Sequence, residues 1–459
     1  MGPSLERKHR FIYNSCRMKR STRRTIFYVF LGVFIVLGAS IVLYAEGWRL
    51  DLKTFHPEKV GAIFVRAYPT DASITLDGEP ILNRSGLISK GTLISDLFPR
   101  AYTLALSAPG YLPWHERVTV MPSLVAERKF AVLVPQEPVT LSTATVSAFI
   151  RPGAETIRTL PDRTIVWRGT TIGRGTIVSA ATNAENVIVK GATSGSYLRY
   201  DLVRATSTNL SAAFARAGAN PSSLTSIAID PYDATKVVAM DARNLWIYDA
   251  TQATSTRIEH TSPSVTVSAP FAISPSIIAW PRYSSARDAS SIVLYDTFGR
   301  ALHATSSSIP GRITLMKWIA DRTLGVIMAD HSLYIYDPSA ESFTKLADDA
   351  RDFTPTDDGS AIAVLEYKSV EIFPSTDALT YGRYNLPDLG SISSLVWYRD
   401  GNHLFIVYPD RIVLFDLDDL GLANLITVSA GKNPIYKPEE NALYLINPEQ
   451  NLVRVDFPS

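Results

Sequence analysis

Residues 313–346 read ITLMKWIADRTLGVIMADHSLYIYDPSAESFTKL, and the alternation inside this stretch decides the fold. Four short runs stand out: Ile313–Trp318, Leu324–Met328, Ser332–Asp337 and Ser342–Leu346, with a turn at Ala320-Asp321-Arg322 after the first. Each is about five residues long and rich in aliphatic and aromatic side chains, as strands are. Polar breaks between them are too short for a helix. The stretch is expected to form one sheet of four strands joined by tight turns.

The third run ends in Tyr336-Asp337, and that ending recurs. It appears in Leu198-Arg199-Tyr200-Asp201, Trp246-Ile247-Tyr248-Asp249, Val293-Leu294-Tyr295-Asp296, Val413-Leu414-Phe415-Asp416 and Val453-Arg454-Val455-Asp456. A degenerate copy, Glu371-Ile372-Phe373-Pro374, fills the one gap, so that the spacings run from 37 to 48 residues. A period of roughly 40–50 residues is that of four-stranded β-propeller blades. The turns Asp357-Asp358-Gly359, Asp400-Gly401 and Pro438-Glu439-Glu440-Asn441 resemble those of WD40-like and TolB-like propellers, over roughly residues 140–459. Seven anchors imply about seven blades; the irregular Gly169–Gly195 leaves six to eight open. The last unit stops at Val453–Phe457 without a fourth strand. A segment within Val139–Arg168, with Thr164-Ile165-Val166-Trp167 as one candidate, must supply it and so hide two sheet edges. One aspartate per unit spreads these carboxylates around a ring. They are therefore expected to cap turns, and Trp246, Trp280, Trp318 and Trp397 to pack between blades.

Upstream, Val60 to about Pro135 carries another set of short alternating strands. Ala62-Ile63-Phe64-Val65, Ser73-Ile74-Thr75-Leu76, Tyr102–Leu106 and Arg117–Val120 are the clearest, and Asp77-Gly78 is a hairpin signal. A small β-sandwich is expected. The segment resembles the PEGA domain family from Gly61 through Leu133. The resemblance lies in Pro69-Thr70-Asp71-Ala72, Ile74-Thr75-Leu76-Asp77-Gly78, Leu97-Phe98-Pro99, and Gly110-Tyr111 with Trp114. Arg100-Ala101 stands where the family usually has a glycine. The resemblance implies a spacer or adhesion module of the cell envelope and brings no catalytic residue with it. Tyr111 and Trp114 are expected in the core.

Ile26 to Tyr44 reads IFYVFLGVFIVLGASIVLY, nineteen residues without a charge. A helix of that length covers roughly the 30 Å hydrocarbon core of a bilayer. Phe27, Tyr28, Tyr44 and Trp48 stand where interfacial aromatics belong. Residues 1–24 hold Arg7, Lys8, Arg10, Arg17, Lys19, Arg20, Arg23 and Arg24 against Glu6, a local +7 that leaves −6 on the rest of a chain whose total is +1. The positive-inside rule then places the N-terminus in the cytoplasm and the body outside. A cleaved signal peptide is the competing reading; its apolar region is normally shorter, and Leu43-Tyr44-Ala45 is a poor cleavage site.

An acidic body does not suit nucleic acid. The one cysteine, Cys16, leaves everything after it free of thiols, and so of disulfides and Cys-based metal sites. No G-x-S-x-G, H-E-x-x-H, P-loop or EF-hand pattern occurs. Gly169–Gly175 is expected to be a Ser/Thr-rich loop, and Asp348-Asp349 and Asp418-Asp419 solvated loop acids. His260, His303, His331 and His403 are scattered singly. No catalytic, cofactor or metal residue is assigned.

The sequence thus reads as an all-β protein behind one transmembrane helix. Its segments are a basic cytoplasmic tail (1–25), the helix (26–45), a juxtamembrane linker (46–59), the PEGA-like sandwich (60–135) and the propeller (136–459). The expected function is non-enzymatic: an envelope protein or scaffold that presents its propeller to a protein or glycan. A hydrolase or lyase acting in the propeller channel, and an envelope sensor subunit, are the alternatives.

Overall fold

The computed structural model describes residues 19–51, 55–85, 90–183, 185–304, 307–320, 323–374, 382–387, 390–417 and 424–458. Most of the basic tail with Cys16, the turn residues Asp321 and Arg322, and the pair Asp418-Asp419 lie outside these. The chain divides into two compact units, Met1–Leu106 with His115–Ala131, and Ser107–Trp114 with Val132–Ser459.

In the first unit, helix α1 spans Arg20–Ala45 and none of its residues is buried. At 1.5 Å per residue it is about 39 Å long. Two of its hydroxyls bond within the helix: Thr25 Oγ1 donates to the Ser21 carbonyl and Ser40 Oγ to that of Val36, at 3.1 and 2.8 Å. A polar group in hydrocarbon needs such a partner. The helix is long and apolar enough to cross a membrane, or to act as a signal sequence.

The same unit holds a three-stranded sheet, ordered Thr92–Leu97, Gly61–Tyr68, Val125–Val132. A four-stranded sheet is ordered Glu79–Ile81, Ser73–Leu76, Ala101–Ser107, Trp114–Thr119. Burial alternates along the strands, with Ile63, Val65, Ile74, Leu76, Leu104 and Val118 inside. That is the two-sheet pattern expected of the segment. Asp77 and Gly78 both take positive φ, 51° and 86°, in a two-residue turn between Leu76 and Glu79. Glu116 falls on the buried face of its strand and is met by Arg128, whose Nε donates to Oε1 at 2.6 Å. Trp114 is buried as expected of a core aromatic, while Tyr111 is only half-buried.

Among the described residues the second unit contains eight sheets, each built on four antiparallel strands that in all but two are consecutive in the chain. In chain order we number them blades 1 to 8. Blade 1 runs from Ala148–Ile150 through Ile157–Thr159 and Thr164–Trp167 to Thr170–Arg174. Blade 2 consists of Thr176–Ala180, Asn186–Lys190, Tyr197–Asp201 and Thr206–Asn209. Blades 3 to 7 begin at Ser226, Val265, Ile313, Asp352 and Ser394. Blade 8 is Lys432–Lys437, Ala442–Ile446 and Leu452–Asp456, completed by Val139–Ser142. Blade 4 is enlarged to six strands by two short extra pairings. A helix of seven residues, α2 (Leu210–Arg216), fills the link from blade 2 to blade 3.

The strands of a blade differ in burial for a physical reason. Second strands such as Lys236–Met240, His403–Val407 and Ala442–Ile446 are buried along their whole length, being covered on both faces by neighbouring blades. Fourth strands such as Thr254–His260 are largely exposed. Continuous apolar runs therefore mark second strands, and mixed runs mark the rim.

Between successive blades lie apolar clusters, and these form a circuit. Ile165 and Val187 join blades 1 and 2; Ile188, Trp246 and Phe214 join 2 and 3; Met240 and Trp280 join 3 and 4. Leu294 with Tyr336, Ile327 with Phe353, and Ile372 with Trp397 continue through blade 7. Tyr398, Phe405, Tyr436 and Phe457 stack between blades 7 and 8, with ring centroids 5.1 to 5.9 Å apart. Phe149 with Tyr444 joins blade 8 back to blade 1. The ring is closed. Trp246, Trp280, Trp318 and Trp397 all pack in these clusters.

The seven anchors end the third strands of blades 2 to 8. The eighth sheet is blade 1, inside the stretch that the anchors skip. The closing strand is Val139–Ser142, which lies antiparallel to the last strand with Val139 opposite Arg454 and Thr140 opposite Val453. Thr164–Trp167 is not that strand; it is the third strand of blade 1. Gly169–Gly175 is likewise not a loop, since Thr170–Arg174 forms that blade's outer strand.

Candidate functional site

The ionisable groups that could do chemistry are largely bound into the scaffold. Asp249 Oδ1 accepts from the Thr251 amide at 2.8 Å and from the Gln252 amide, and Asp337 Oδ1 from the Ser339 amide at 2.8 Å and its hydroxyl at 2.6 Å. These bonds, the threonine and serine hydroxyls foremost, hold both carboxyls below the usual carboxylate range. Asp201 and Asp296 cap their turns in the same way through the Arg204 and Phe298 amides, while Asp416 faces His403 and Asp456 pairs with Arg454. Among the described residues no group of three His, Cys, Asp or Glu side chains is placed to hold a metal ion.

The histidines sit on different blades. His260 Nδ1 lies 2.7 Å from Asn244 Oδ1 on blade 3. His403 is buried on blade 7, with Nδ1 2.8 Å from Asp400 and Nε2 3.8 Å from Asp416. Further acids are paired between blades. Glu259 of blade 3 meets Arg282 of blade 4 at 2.5 Å and accepts from the Tyr295 hydroxyl. Glu440 of blade 8 meets Arg151 of blade 1 at 2.7 Å, and that guanidinium lies 4.1 Å over the Tyr444 ring. Sequence reasoning named none of these pairs, because each joins residues of separate blades.

A concavity of about 440 Å³ opens between blades 1 and 2. Its walls are built locally. In blade 1 the third and fourth strands are joined by Arg168-Gly169 alone, both at positive φ (47° and 80°), which sets Trp167 opposite Thr170. A two-residue turn with this geometry suits the twist of a hairpin. Arg168 then folds over the Trp167 ring at 4.7 Å and pairs with Glu155 at 2.5 Å, which holds the Glu155 carboxyl below its ordinary range. Blade 2 contributes Tyr200, the cap residue Asp201, Thr206 and Ser207. Gly173 allows the approach of the two blades, since a Cβ there would stand 2.5 Å from the Tyr200 hydroxyl. Trp167 and Tyr200 are both half-buried.

A second pocket, about 450 Å³, lies between blades 6 and 7 and is edged by Asp357, Asp358, Asp400 and Trp397. Asp358 and Asp400 serve turns. Asp358 accepts from the Thr356 and Ser360 hydroxyls and the Ser360 amide, and its pKa falls to about 2. A third, about 250 Å³, holds Arg351 stacked 4.5 Å over Tyr367.

No family model and no curated protein matches the chain. Among solved structures it is similar to an oligogalacturonate lyase in complex with manganese, at 11% identity and a TM-score of 0.45, covering 71% of this chain and 98% of that one. Oligogalacturonate lyase from Vibrio parahaemolyticus gives 10% and 0.43, with 70% and 96% covered. A chain of a mitotic checkpoint complex gives 10% and 0.44, with 70% and 98% covered.

Proposed function

We propose that this chain is a non-enzymatic, membrane-anchored protein of the cell envelope whose propeller binds a protein or glycan outside the cytoplasm. The observation that carries the proposal is α1, a helix of 26 residues with no buried side chain, preceding a closed ring. A solvated apolar helix of that length costs free energy in proportion to its exposed area, and a bilayer removes that cost. Residues 26–45 then form the anchor and 46–59 a linker. The two-sheet module over 60–135, PEGA-like in its turns, stands in the chain between the linker and the ring at 136–459. The basic residues ahead of Ile26 keep the N-terminus in the cytoplasm. Binding is favoured over catalysis by the use of the acids: Glu259, Glu440, Asp337 and Asp358 all serve the scaffold.

The body's lack of thiols gives a clean test. In a Cys16→Ser background, Leu82→Cys places one thiol at a side chain that is 75% exposed. A membrane-impermeant maleimide should label it in intact cells, and the protein should stay with the membrane fraction at its full mass. Labelling only after lysis would reverse the topology. Release in a shortened form would make α1 a signal sequence.

A further inference from the structure

We infer that the pocket between blades 1 and 2 binds a neutral saccharide through the faces of Trp167 and Tyr200. This rests on the reading of the ring as a binding module and specifies its ligand.

The volume, about 440 Å³, falls among small-ligand pockets, which span roughly 300–1,000 Å³. Its chemistry is two-sided. Trp167, with Arg168 over one side of its ring, and Tyr200 supply aromatic surface, while Thr170, Thr171, Thr206 and Ser207 supply hydroxyls along the rim. A sugar ring matches this pairing, having C–H groups on its faces and hydroxyls around its edge. A purely apolar side chain would bury those threonine and serine hydroxyls without partners, which is unfavourable. The ligand's charge follows from the cation already present. Arg168 is committed to Glu155 at 2.5 Å, and on the other wall Asp201 is paired with Arg204 at 3.1 Å. An acidic ligand would meet the Asp201 carboxylate and no guanidinium outside an ion pair, whereas that carboxylate can accept from the hydroxyls of a neutral one. The walls are held by the scaffold: Trp167 by the two-residue turn, and Tyr200 by its seat against Gly173. A preformed aromatic pair loses little entropy on binding.

The test uses the full chain in a sugar-free detergent, titrated with cellotriose, maltotriose, chitotriose and mannotriose by calorimetry. At least one should bind at millimolar concentration or tighter. Trp167→Ala should weaken it at least tenfold, and Trp167→Phe should retain much of the affinity. Ser207→Trp, at an exposed rim position, should block binding with an unchanged melting temperature, which separates loss of the site from loss of the fold. No binding by any of the four would overturn the inference, as would binding that Trp167→Ala and Ser207→Trp leave intact. Displacement of the sugar by an unstructured peptide of equal affinity would overturn it too. None of these results bears on the side of the membrane, which the maleimide labelling decides separately.

Discussion

Asp337 illustrates how much of a fold one side chain can secure. Its carboxylate gathers the Ser339 amide and hydroxyl and the Ala340 amide, fixing the turn from the third strand of blade 5 to the fourth. Asp337→Ala should lower the unfolding free energy by about 1 kcal/mol, measured by urea denaturation, since capping bonds to exposed turns are of that order. The same chemistry predicts acid sensitivity. Asp249, Asp337 and Asp358 have folded pKa values below the unfolded value of about 3.9. Their contribution is complete above that value and lost as pH falls through the lower folded values, about 2 for Asp358. The urea midpoint should therefore drop between about pH 4 and pH 2, and less steeply in an Asp337→Asn, Asp358→Asn double variant. Such caps were legible in the sequence because donor and acceptor lie two or three residues apart. The pocket was not. Trp167 and Tyr200 meet only because blades 1 and 2 pack together, and nothing near either residue in the chain announces the other.

At the scale of strands and turns, legibility followed the strength of the local signal. Blades 2 to 8 each carry the recurrent ending of the third strand. Blade 1 escaped because its third strand ends in Trp167-Arg168-Gly169, a two-residue turn with no aspartate. Helix α2 escaped for its brevity; Asn209 caps it through the Ala212 amide at 2.9 Å, and Leu210 and Phe214 fill the gap between blades. The junction between blades 1 and 2 shows how tight such links are. Gly175 alone separates the outer strand Thr170–Arg174 from the inner strand Thr176–Ala180, at a φ of 151°. A Cβ there would lie 2.3 Å from the Lys190 carbonyl oxygen. Backbone strain and that contact together predict a loss of roughly 2–3 kcal/mol for Gly175→Ala, seen as a lowered urea midpoint with an unchanged slope. A neutral Gly175→Ala would mean that the junction is looser than this geometry.

For the molecule as a whole, the sequence revealed the need for closure but not the strand that meets it. The last unit plainly lacks a fourth strand, yet Val139–Ser142 and Thr164–Trp167 both read as short apolar-polar runs, and only register separates them. Everything proposed for the ring depends on its being closed: the burial of second strands, the clusters between blades 8 and 1, and the pocket one blade further on. The most direct test is a disulfide across the closing pair, made as Val139→Cys with Arg454→Cys in the Cys16→Ser background. Directly opposed antiparallel residues have Cα atoms about 4.5–5.5 Å apart, within disulfide reach. Mild oxidation of the folded protein should give near-complete cross-linking by gel mobility, and none for the control pair Thr164→Cys with Arg454→Cys. Cross-linking of the control pair in place of the first, or of neither, would contradict the closed eight-bladed ring.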